Sequence, residues 1–143
     1  MPITKIDDSL IYLFITAGTV IKQDNKFLLI QEKQKKYYGK WNLPAGKVEI
    51  GDSIKQTAVR EAKEESGFEV EIIREIDIFY QDGDESVKHA FEAKIVGGKL
   101  KTPEDEILSA KWFTYEEIKQ LSDSGKLRAD WVIKAIEKSQ NSS

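Results

Sequence analysis

At 143 residues, with 40% hydrophobic and 33% charged side chains, the chain is long enough to bury a core and too apolar to stay disordered. Its net charge of −3 argues against sequence-independent binding to nucleic acid, which needs a basic surface. It has no cysteine, which excludes disulfides, thiol catalysis and zinc–thiolate sites and fits a reducing cytoplasm.

The first apolar run covers residues 10–21. It follows Asp7 and Asp8 rather than basic residues, no small-residue cleavage site comes next, and it is too short to cross a bilayer. No membrane association is expected from it. β-Branched and aromatic residues dominate, so it reads as a strand buried on both faces and running to about Lys22. Asp24-Asn25 turns into a second strand over 27–32. Residues 31–40 read as a polar loop that carries Tyr37 and Tyr38, with Trp41 just after it. Leu43-Pro44-Ala45-Gly46 then leads toward a long helix.

Strands are predicted over 69–80 and 87–96, joined by the turn Gln81-Asp82-Gly83-Asp84. Gly97-Gly98 opens another turn, and a last short strand lies around 110–113. Thr114 followed by Glu117 is a capping box that starts a short helix reaching about Leu121. A final amphipathic helix carries Leu127, Trp131, Val132, Ala135 and Ile136 on one side and frays from Ser139 onward. No repeat or linker interrupts the chain, so residues 1–143 read as one α/β domain with a mixed sheet between two helical layers.

The long helix is the informative element. Asp52 or Ser53 supplies its N-cap, and Gly67 takes the left-handed conformation that ends it. Glu61, Glu64 and Glu65 share one arc of it, next to the stripe formed by Ile54, Ala58 and Ala62. A solvated acidic face would instead lie opposite that stripe, with basic partners at i±3 or i±4. Glu61 has none at those spacings. Each like-charge pair costs about 0.2–0.5 kcal/mol in an isolated helix, and Glu64 and Glu65 sit at the negative end of the macrodipole. Three local rules broken in one place mark a functional site. A hard divalent cation held by carboxylate oxygens, magnesium in the first place with manganese as a substitute, relieves all three.

The stretch from Gly46 through Phe68 also resembles the signature of the Nudix hydrolases: Gly, five residues, Glu, seven residues, then Arg-Glu-apolar-x-Glu-Glu-x-Gly-apolar. Gly46, Arg60, Glu61, Ala62, Glu64, Glu65, Gly67 and Phe68 match in order and spacing, and Asp52 stands where the pattern has its first Glu. The resemblance implies an α/β/α sandwich and a MutT-like pyrophosphohydrolase that splits the diphosphate of a nucleotide or a related small molecule. It implies Glu61 and Glu65 as the main metal ligands, joined by the backbone carbonyl of Gly46, with Glu64 a further or water-mediated ligand. The general base is Glu61, Glu64 or an acid outside the helix, and Glu106 in the late acidic loop is the candidate there.

Arg60 reads either as an i+4 partner of Glu64 or as the residue that orients a metal-binding glutamate. Tyr38 and Trp41, beside Tyr37, are candidates for a wall that stacks on a base. Lys47 either reaches a phosphate or is simply exposed. His89, the sole histidine, reads as a structural or pocket-lining residue. The alternative to hydrolysis is a nucleotide sensor of the same fold that binds without cleaving. An isomerase branch of the resembled family is excluded because it needs a cysteine. Similar proteins are often homodimers, and the expected partner is a small diphosphate in the cytoplasm.

Overall fold

The computed structural model describes residues 7–141. Asp24 and Asn25 both take positive φ (51° and 64°), the turn geometry that matches the twist of two paired strands. Strands β1 (Phe14–Gln23) and β2 (Lys26–Glu32) therefore meet as a hairpin at this turn. Three strands follow β2 in the chain: β3 (Trp41–Asn42) beside β2, β4 (Ala45–Lys47) antiparallel to the start of β1, and β5 (Phe68–Phe79). Strand β6 (Ser86–Gly98) lies between β1 and β5, parallel to the first and antiparallel to the second. Strand β7 (Ile107–Phe113) runs antiparallel along β2. The sheet is mixed, in the order β3-β2-β1-β6-β5, with β4 and β7 branching from β1 and β2.

Helix α1 (Ile54–Ser66) covers one face, and α2 (Tyr115–Asp123) and α3 (Trp131–Gln140) cover the other. The alternation of side chains along a strand decides which layer each residue joins. Ile21 and Leu28 pack with Ala62, while Val20, Phe27 and Leu29 pack with Ile118, Trp131 and Ile136. Each fully buried Leu, Ile or Phe among them contributes about 1.5–3 kcal/mol of apolar burial. Gly18 on β1 lets the ring of Trp131 cross the strand, since a Cβ there would stand 2.8 Å from its Cη2 atom. The α/β/α sandwich expected from the sequence is the architecture found.

Several boundaries move. The first strand begins at Phe14, where the backbone first finds β6 as a partner through Phe14 N–H and the carbonyl of Glu85 (3.0 Å). Leu10 to Ile15 are exposed (Ile11 81%), so the run is buried on both faces only from Ala17 to Ile21. Gln31 and Glu32 belong to β2 rather than to the loop, which holds only one 3-10 turn, Lys35–Tyr37. Ala45-Gly46 is strand, not lead-in, and Gly97 and Gly98 finish β6 opposite Glu69 and Phe68 instead of opening a turn. The last strand starts at Ile107. Leu127 lies before α3 in a bridge to Trp41, and α3 stays helical through Ser139 and Gln140, where fraying was expected.

Candidate active site

Helix α1 begins at Ser53, not Asp52. The Ser53 hydroxyl accepts from Gln56 N–H (3.0 Å), and the Gln56 side chain accepts from Ser53 N–H (3.1 Å), a reciprocal capping box. Asp52, freed from capping, faces the Arg60 guanidinium at 3.4 Å. At the other end Gly67 adopts φ 85° and donates to the carbonyl of Lys63 (2.9 Å). A side chain there would also collide with the backbone of Lys99 and Lys101, so both conformation and space require glycine.

Strand β4 passes beneath the acidic arc of this helix. Ala45 N–H donates to the Glu65 carboxylate at 2.7 Å. One residue on, the Glu61 carboxyl group lies directly against Gly46, in the space a Cβ would fill. The strand thus brings a backbone donor and a bare backbone to two glutamates one helical turn apart. Arg60 touches Asp52, Glu61 (3.6 Å) and Glu64 (3.4 Å), so Glu61 does have a cation nearby, reached from the adjacent position and not from i±4.

One guanidinium does not balance this set. Burial, with Glu64 beside it, pushes the Glu61 carboxyl up to about 7. Burial raises Glu65 well above the usual carboxylate range too, although its bond to Ala45 N–H opposes the shift, and the charges of Glu61, Glu32 and Glu106 add to it. Glu32, at the end of β2, is itself raised, by burial first, while Asn42 and Arg128 hold it down. Five carboxylates from three segments, Glu32, Glu61, Glu64, Glu65 and Glu106, therefore act on one another here.

That donor set suits a hard cation. Among the described residues no three acidic or histidine side chains already converge on one point. Magnesium needs no such cage, because it is bound through one or two carboxylates and keeps several waters. Glu61 and Glu65, with the backbone of Gly46 against the first and that of Ala45 bonded to the second, meet that requirement.

The other residues singled out in the sequence separate. Glu106 is an exposed residue of the loop before β7, close enough to raise both Glu61 and Glu65. Lys47 projects from β4 onto the ring of Phe14, 3.9 Å from its centroid. Tyr38 is 62% exposed, whereas Trp41 is buried edge-on against Phe113 in the core. Phe91 and Trp131 are core residues. His89 on β6 faces Glu75 at 3.7 Å. Sequence reasoning missed Glu32 and Arg128. The signal for Glu32 was a lone carboxylate closing an apolar strand; Arg128 had none.

A family model described as "NUDIX domain" matches residues 13–133. An 8-oxo-dGDP phosphatase of Danio rerio is 33% identical over 103 residues, covering 70% of this chain and 31% of that protein. The chain thus spans about a third of the length of this relative. An ADP-ribose pyrophosphatase of Methanocaldococcus jannaschii is 30% identical over 123 residues, 82% of this chain and 72% of its own. The solved structure of a NUDIX hydrolase from Nitrosomonas europaea superposes with a TM-score of 0.78 at 30% identity, covering 90% of this chain and 89% of that one.

Proposed function

The chain belongs to the Nudix family, and on that footing we propose that it is a magnesium-dependent pyrophosphohydrolase of nucleotides or nucleoside-diphosphate-linked small molecules. One observation carries this reading: Glu61 and Glu65 are held together, partly buried, against β4, with more negative charge than Arg60 offsets. Folding alone gains nothing from that crowding, which a bound cation relieves. The Methanocaldococcus jannaschii relative supports the substrate class, since ADP-ribose is a nucleoside diphosphate linked to a sugar.

A divalent ion bound there supplies neutralisation of the phosphate oxygens and a water acidic enough to ionise near neutral pH. Glu61 and Glu65 would hold it, fixed by their packing on Gly46 and Ala45. Arg60 spans Asp52, Glu61 and Glu64 and so keeps the Glu61 carboxyl turned toward β4. The attacking water adds to phosphorus, the bridging P–O bond of the anhydride breaks, and the water's proton passes to a carboxylate of the cluster. Glu64, exposed and paired with Arg60, and Glu106, in the loop before β7, are the candidates to receive that proton. The absence of cysteine suits the cytoplasm as the place of action.

The test is incubation with a panel of nucleoside triphosphates, nucleoside diphosphate sugars and dinucleoside polyphosphates in magnesium, with release of phosphate, pyrophosphate or mononucleotide as the readout. Turnover of at least one compound, abolished by Glu61→Gln, is expected. No turnover of any of them, or full turnover by Glu61→Gln, overturns the reading.

A further inference from the structure

A second charged concavity lies on the other side of β4. Neighbouring strand residues point to opposite faces, so Gly46 meets Glu61 while Lys47 turns away from α1. Thr16 and Lys88, aligned with Lys47 across β4-β1-β6, share that face. The result is a cleft of about 360 Å³ whose cations are Lys36, Lys47, Lys88 and Arg128 and whose only carboxylates, among the described residues, are Asp84 and Glu85. In a chain of net charge −3 this is a local reversal of sign.

Of these four cations, only Lys88 forms an ion pair among the described residues, with Asp84 at 3.1 Å. Arg128 lies on the face of Tyr37, 3.2 Å from the ring centroid, and Lys36 sits over the same ring at 5.3 Å. Lys47 covers Phe14, which stays 52% exposed. Such contacts at exposed sites place a cation but do not offset like charges gathered around one hollow. A guanidinium fork with ammonium groups around it matches a dianionic phosphate in geometry and charge.

The cleft also adjoins the acidic cluster. Lys47 follows Gly46 directly, and Gln34, which lines the cleft, is two residues beyond Glu32. Arg128 is near enough to act on both Glu32 and Asp84, and Glu32 acts in turn on Glu65. The cleft and the acidic cluster thus flank the same short strand, at its adjacent residues Lys47 and Gly46. Resting on the hydrolase reading above, we propose that this cleft seats a further phosphate of the substrate, beyond the diphosphate held at Glu61 and Glu65. The favoured substrates are then nucleotides with a third phosphate group, in preference to diphosphates that end in a neutral sugar.

Two measurements test this. In EDTA, inorganic pyrophosphate titrated into ¹⁵N-labelled protein is expected to shift the amides of Lys36, Lys47 and Arg128. Its binding should weaken about tenfold in Lys36→Gln and in Arg128→Gln, as loss of a charged hydrogen bond implies. Lys36 is exposed, so its variant remains informative if Arg128→Gln fails to fold. With magnesium, NADPH should be hydrolysed with a kcat/KM about tenfold above that of NADH, which lacks one phosphate monoester, and Lys36→Gln should erase the difference. Pyrophosphate binding that ignores both substitutions, or equal kcat/KM for the two dinucleotides, overturns the proposal. If neither dinucleotide is cleaved while pyrophosphate still binds through Lys36 and Arg128, the preference for a third phosphate falls and the anion site alone stands; the hydrolase reading is decided separately, by turnover of the nucleotide panel.

Discussion

The Glu65 carboxylate accepts a 2.7 Å hydrogen bond from the backbone N–H of Ala45, twenty residues earlier in the chain. This bond ties the last turn of α1 to the short strand beneath it and fixes one acid of the cluster. The carboxylate is held by a neutral donor and surrounded by other acids, so its charge is unfavourable in the fold without a cation.

Glu65→Gln separates these two effects. The amide oxygen can still accept from Ala45 N–H, and the charge is gone. Thermal stability in EDTA should be unchanged or higher than that of the parent, while magnesium-dependent turnover falls by about a hundredfold or more, as loss of a ligand carboxylate implies. A variant that loses stability and keeps its turnover would show that the side chain only braces α1.

Gly46 offers a steric version of the same test. A methyl group at this position would overlap the Glu61 carboxyl group, which rests against the bare backbone there. Gly46→Ala should therefore displace Glu61 at a cost of about 1–3 kcal/mol in stability. A catalytic group displaced by about 1 Å costs on the order of a hundredfold in rate. Thermal denaturation and steady-state kinetics on the one variant check both numbers, and a rate within twofold of the parent would mean that Glu61 works equally well in other positions.

The pH dependence follows from the direction of these shifts. Glu61 ionises at about 7 in the fold against 4.5 ordinarily, so the folded chain binds this proton more tightly than the unfolded one. The metal-free protein should then gain stability as pH falls from 8 through 7, with the full gain reached below 4.5. Asp77 and Asp84, whose carboxyls are lowered from 3.8 by hydrogen bonds to Lys138 and Lys88, act in the opposite sense but only below that range. Thermal midpoints in EDTA between pH 8 and 5 measure the effect. Glu61→Gln should flatten the slope, and magnesium should flatten it in the parent; identical slopes in parent and variant would contradict the assignment.

The helix acids were legible because a helix fixes the relative direction of side chains at i, i+3 and i+4, whatever packs around it. The same holds for the Asp24-Asn25 turn and for Gly67, whose backbone angles few other residues tolerate. Burial of residues 10–15 was misjudged for a different reason. An apolar run shows that a strand can be buried, not where its neighbour begins, and β6 begins only opposite Phe14. Trp41 stands in a loop-like stretch by sequence, yet β2 and the bridge to Leu127 draw it into the core. Glu32 meets the site through Glu65 of α1, and Arg128 acts on Glu32 from nearly a hundred residues further on, relations that no local spacing encodes.

Arg60 is where the two readings of a residue lead to different outcomes. Its guanidinium contacts Asp52 at 3.4 Å, Glu61 at 3.6 Å and Glu64 at 3.4 Å, and the side chain is 39% exposed. Ion pairs as open as this add little to stability. Their geometry is another matter, since a planar fork can hold three carboxylates in fixed directions and a single ammonium group cannot. Arg60→Lys keeps the charge and loses the fork. Turnover should fall by about 10–100-fold, the range seen when a group that orients a metal ligand is lost. The thermal midpoint should hardly move, and raising magnesium should restore part of the lost rate. Unchanged turnover in Arg60→Lys would reduce Arg60 to an ordinary i+4 partner of Glu64, and Glu61 would then owe its position to Gly46 alone.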